Sequence, residues 1–97
     1  MPPQSKHEGP NAALEIWQDA ARDPRSSEAD LKKAHRCVGD HHWAQRQDEG
    51  AREHYMQSSL RGCVYSKLRL SAMDLEKGDA EGARKWIDEA TTILMRQ

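Results

Sequence analysis

The sequence predicts an all-α protein of about five antiparallel helices, and three observations carry that expectation. Apolar and small residues recur at three- and four-residue spacing along most of the chain, the period of one helix face. Pro24, Ser27, Gly62, Gly78 and Asp79 cut that pattern into segments of helix length. No stretch alternates apolar and polar residues as a half-buried strand would.

Residues 1–9 are rich in proline, glycine and polar side chains with nothing to bury, and read as a flexible tail. A single helical domain is expected over 10–97. From Pro10, Ala13, Ile16, Trp17 and Ala20 fall on one helix face, and Pro24 ends that helix. Ser27 with Asp30 three residues on suits the start of a second helix, whose inner face is expected at Leu31, Ala34, Val38 and His42. A third helix begins near Gln47, presents Ala51, Tyr55 and Ser58, and stops at Gly62. The fourth, from Cys63 to about Lys77, offers Val64, Leu68, Ala72 and Leu75. Asp79 caps the fifth, where Ala83, Trp86, Ile87, Ala90, Ile93 and Leu94 form one apolar stripe.

Composition narrows function. The chain has 97 residues, 36% of them apolar, no phenylalanine, and 32% charged, enough for one thin core. The net charge of -1 is spread without a basic tract, which argues against nucleic acid and against an acidic membrane surface. No apolar run reaches the length of a membrane span, and the first residues lack the apolar stretch of a signal peptide. Two cysteines, Cys37 and Cys63, are too few for a disulfide framework and suit free thiols in the cytoplasm.

The stretch Glu-Gly-Ala-Arg occurs at Glu49–Arg52 and again at Glu81–Arg84, a shift of 32 residues. The surroundings agree in size class at the same shift: Val38 with Leu70, Gly39 with Ser71, Tyr55 with Ile87, Ser58 with Ala90. Small residues recur where two helices would approach, and large ones recur one turn later. Such a period implies stacked helical hairpins.

On these residues the chain resembles the tetratricopeptide repeat (TPR) family. Val38–His42 stands for the family's Leu-Gly-x-x-Tyr element, and Ala51–Tyr55 for its Ala-x-x-x-aromatic element. Leu70–Asp74 is a degenerate copy of the first element, and Gly78–Ala90 reads like the family's turn and second helix. His35 departs from the pattern, which has a bulky residue there. The resemblance implies two stacked TPR-like hairpins plus an N-terminal helix, with a concave face that binds a peptide or helix of a partner protein. That makes the chain a non-enzymatic adaptor or small chaperone; the alternative is a compact regulator or inhibitor that covers a partner surface.

Mapped by the resemblance, the groove positions are Lys33, Arg36, Asp40, Trp43 and Ala44, then Tyr65, Leu68, Ala72, Leu75 and Glu76. One end is basic and the other apolar, so the expected ligand carries an acidic group near Lys33 and Arg36 and apolar residues over Leu68 and Leu75. The closing residues Ile93, Leu94 and Met95 cannot all face inward on one helix, and read as an association surface for a homodimer or a permanent complex.

His35, Cys37, His41 and His42 invite a metal reading, with His54 on the next helix. Seven residues separate His35 from His42, about 10 Å along a helix, too far for one ion. Structural histidines facing a partner helix are the expectation, with no metal and no cofactor. If buried neutral, they make stability fall as pH drops through about 6. No Ser-His-Asp ordering, glycine-rich phosphate loop or zinc-protease motif is present, so no enzyme is expected.

Overall fold

In the computed structural model, which describes residues 12–97, the chain runs through five α-helices, and no strand occurs among the described residues. They are α1 (Ala12–Arg22), α2 (Glu28–Ala44), α3 (Asp48–Leu60), α4 (Val64–Glu76) and α5 (Ala80–Met95). The tail expected at 1–9 and the helix start at Pro10 lie outside the described residues. Each helix packs on the next in sequence, most heavily within the pairs α2–α3 and α4–α5, so the fold is a run of adjacent helical hairpins. No described helix is long and apolar enough to cross a membrane.

Local chemistry sets the boundaries. Asp23 accepts from the Arg25 backbone, and the Ser26 hydroxyl donates to the Ala20 carbonyl, closing the end of α1. The Ser27 side chain accepts from the Asp30 amide at 3.1 Å and starts α2. The Cys63 sulfur does the same for Ser66 in α4, and Asp79 for Gly82 in α5. Between α3 and α4, Gly62 turns the chain at φ 84°. The turns inside the two hairpins carry a left-handed residue at the shift of 32: Arg46 at φ 58° and Gly78 at φ 81°. Glycine takes that conformation without strain, and arginine at the first turn costs about 1 kcal/mol more.

The core holds Ala51, Tyr55, Leu70 and Met73, with Trp43, Met56 and Trp86 packed around it. Gly39 lets α2 and α3 close: a Cβ there would lie 2.8 Å from the Tyr55 ring. Ala51 and Ala83, the two small residues of the repeated stretch, are both buried. The glycines beside them also match. A Cβ on Gly50 would meet His42, and one on Gly82 would meet Asp74, the residue 32 positions after His42. The repeated stretch is thus a packing device. Glycine admits a side chain from the preceding helix, and alanine fits the contact beside it.

Four expected inner faces, those of α1, α2, α4 and α5, differ from the structure. On α1, Ala13 and Ile16 are exposed while Trp17 and Ala20 are half-buried, because α1 packs mainly on α2, which covers only part of its stripe. On α2, Ala34, Val38 and Gly39 are buried but Leu31 and His42 only partly so.

On α4 the buried residues are Ser66, Lys67, Leu70, Ser71, Met73 and Asp74. Val64 and Ala72 are half-buried, and Leu68 and Leu75 are exposed. Lying between α3 and α5, this helix buries two flanks, and its buried ions are paired: Asp74 with Arg52 at 2.8 Å and Lys67 with Glu89 at 2.9 Å. On α5, Ala83 and Ala90 are buried, Trp86 and Ile93 half-buried, and Ile87 and Leu94 exposed.

Candidate protein-binding face

α2 and α4 lie on the same side of α3, and their exposed flanks carry the residues expected to line a groove. Asp40 is the hub. Its Oδ1 accepts hydrogen bonds from the Tyr55 hydroxyl at 2.5 Å and the Tyr65 hydroxyl at 2.9 Å. Tyr65 in turn accepts from Arg69 Nε at 2.9 Å. Burial first, then the bond to Asp40, pushes the Tyr55 phenol well above its ordinary value, so it remains a donor.

Cations stack on this frame. The Arg36 guanidinium lies 5.3 Å from the centre of the Tyr65 ring, and Arg69 lies 5.1 Å from Tyr65 and 5.9 Å from Trp43. The Arg36 Nε is buried without a hydrogen-bond partner. Lys32, Lys33, Arg36 and Cys63 line a shallow pocket at one end of the face. At the other end Trp43, Ala44, Arg46, Asp48 and Glu76 line a second, wider one.

Arg36, Asp40, Trp43 and Tyr65 are therefore brought together on one face through Asp40 and Arg69. Lys33 sits beside Arg36 but its ammonium lies over the Trp17 ring of α1, 5.1 Å from the centroid. Leu68 and Leu75 are two turns apart on α4 and remain 46% and 57% exposed. Arg69, Trp17 and Tyr55 were absent from the sequence-based set. For Arg69 a signal existed, since it stands four residues after Tyr65 and so on the same helix face.

The closing segment is split. Ile93 is half-buried, whereas Leu94 and Met95 are 55% and 81% exposed.

The histidines form a cluster between α2 and α3. His35 Nδ1 lies 3.0 Å from His54 Nδ1, so one ring donates and the other accepts. His42 stacks on His54 with a 10° angle between the rings, and its Nδ1 lies 2.6 Å from Gln47 Oε1. Burial holds both His35 and His54 below the ordinary imidazole value. His41 packs edge-on to His42, and Cys37 is a half-buried free thiol. Among the described residues, no group of three or more His, Cys, Asp or Glu is arranged to hold a metal ion.

No family model matches the chain, and neither a curated protein nor a solved structure matches it.

Proposed function

We propose that the chain is a non-enzymatic protein-interaction module of tetratricopeptide type, an adaptor or small chaperone that holds a peptide or helix of a partner on the face formed by α2 and α4. One observation carries this reading: Arg36, Trp43, Tyr65 and Arg69 share that face, tied through Asp40, while Leu68 and Leu75 stand exposed on the same helix as Tyr65. Aromatic and arginine side chains on a braced frame are the groups that most often dominate binding energy. Asp40 is occupied by two phenol hydroxyls, which suits a positioning group better than a catalytic base. The ligand would place a carboxylate at the Lys33–Arg36 end and apolar side chains over Leu68 and Leu75. Free cysteines at 37 and 63 suit a reducing cytoplasm.

The test is affinity capture from the native host with mass spectrometry, run beside Lys33→Glu/Arg36→Glu and Leu68→Asp variants of unchanged melting temperature. The reading expects a captured protein to be lost with both variants. Equal capture by all three chains would overturn it.

A second reading has its own support. Exposed Leu94 and Met95 on α5 favour a regulator that associates through that helix, as a homodimer or on a partner's surface. Sedimentation at micromolar concentration separates the two forms, and Met95→Glu is expected to return a dimer to monomer.

A further inference from the structure

The shift of 32 residues relates more than sequence. It carries α2 onto α4 and α3 onto α5, and the matched positions have matched surroundings: Gly50 and Gly82 under a side chain of the preceding helix, Ala51 and Ala83 buried, Ser58 and Ala90 buried. At one place the match fails. The flank of α3 that carries Arg52, Tyr55 and Ser59 is covered by α4. Arg52 pairs with Asp74 at 2.8 Å, Tyr55 meets Tyr65 edge-on and packs with Leu70 and Met73, and Ser59 is buried. The corresponding face of α5 is open. Arg84 is exposed and makes no ion pair among the described residues, Ile87 is 42% exposed where Tyr55 is fully buried, and Thr91 is exposed where Ser59 is not.

We propose that this face of α5 receives one amphipathic helix from a second polypeptide, seated as α4 seats on α3. The internal contact states the chemistry of that helix. It presents apolar residues three apart, as Leu70 and Met73 do, to cover Ile87 beside the already buried Ala83. A carboxylate follows immediately, as Asp74 does, and pairs with Arg84. A basic helix is disfavoured at the same seat by like-charge repulsion from Arg84. The proposal rests on the second reading above, association through α5, and names its partner class. It does not involve the α2–α4 face.

The test uses the full chain and a synthetic peptide with this protein's own residues 64–77, stapled across the exposed positions 68 and 75 because an isolated helix of that length is marginal in water. Amide shifts mapped by NMR are expected to move saturably at Arg84, Ile87 and Thr91. Arg84→Glu should weaken binding about tenfold, the size of one charge-assisted contact turned repulsive. A peptide carrying lysine in place of its Asp74 should recover most of that loss against Arg84→Glu. Ile87→Asp, already half in water, should fold and abolish binding. The Lys33→Glu/Arg36→Glu chain should bind as the natural one does, so failure of the groove reading leaves this one standing. No saturable shift, shifts confined to α3 through displacement of α4, or equal affinity for Arg84→Glu would each overturn the proposal. A chain that sediments as a monomer yet binds the peptide sinks only the homodimer.

Discussion

The two hairpins share a scaffold and differ in what fills it. In α2–α3 the positions 35, 42 and 54 hold three histidines whose rings stack between the helices. In α4–α5 the positions 67, 74 and 86 hold Lys67, Asp74 and Trp86. There Lys67 lies over the Trp86 ring at 5.4 Å and pairs with Glu89, while Asp74 reaches back to Arg52. The contrast shows what a helical repeat constrains. Small residues at the crossing points are kept, because backbone separation depends on them. The larger positions between the helices accept any set of groups whose polar atoms find partners. One hairpin meets that condition with imidazole rings, the other with ions.

The largest expected difference lies at the paired positions 55 and 87. Tyr55 is fully buried, touches Gly39, and donates to Asp40, so Tyr55→Ala should cost about 3–5 kcal/mol. Ile87→Ala should cost about 1 kcal/mol, because much of that side chain already faces water. Urea denaturation of both variants measures it. Equal losses would mean that α5 carries a cover of its own, against the open face described above.

A smaller difference is expected at 39 and 71. Gly39→Ala places a Cβ 2.8 Å from a ring that cannot move without shifting the core, and should cost about 1–3 kcal/mol. Ser71 already carries a Cβ at the equivalent crossing, and its hydroxyl donates to the Leu68 carbonyl of its own helix. Ser71→Ala should therefore change stability by no more than about 0.5 kcal/mol. If Ser71→Ala costs as much as Gly39→Ala, the crossings are not equivalent.

How much of this the sequence makes legible follows from the same contrast. The helix number and the boundaries at Pro24, Ser27, Gly62 and Asp79 are readable, because these residues act through local chemistry that the sequence displays. The inner face of α3 was also readable, since Ala51, Tyr55 and Ser58 recur at helical spacing and lie between α2 and α4. The inner face of α4 was not. A helix with neighbours on two flanks buries polar residues once they are paired, and the partners of Lys67 and Asp74 stand 22 residues away along the chain, Glu89 after one and Arg52 before the other. Apolar periodicity then points to Leu68 and Leu75, the residues left outside. Within the groove set, Asp40 and Tyr65 meet across helices, whereas Lys33 turns to a ring on α1.

The subtlest difference concerns acid, and it belongs to the first hairpin. His35 and His54 share one proton across 3.0 Å, and a second would set two N–H donors head-on. Burial lowers both groups, and for His35 the neighbouring His54 and Arg61 add to the effect, against Glu53. For His54 the opposing influences are His42 and Arg22, which lower it, and Glu53, which raises it. The sign follows from which state takes up protons. In the unfolded chain both imidazoles titrate near 6.5, whereas in the folded chain they titrate below it, so from pH 6.5 downward the unfolded state binds protons that the folded state refuses. Stability is complete above about 6.5 and falls progressively as the pH drops towards the lowered values. The melting temperature should decline between pH 7.5 and 5.5, and the decline should shrink in His54→Gln, whose amide can still meet His35. A flat profile for the natural chain, or an equal decline in His54→Gln, would remove the histidine cluster as its source.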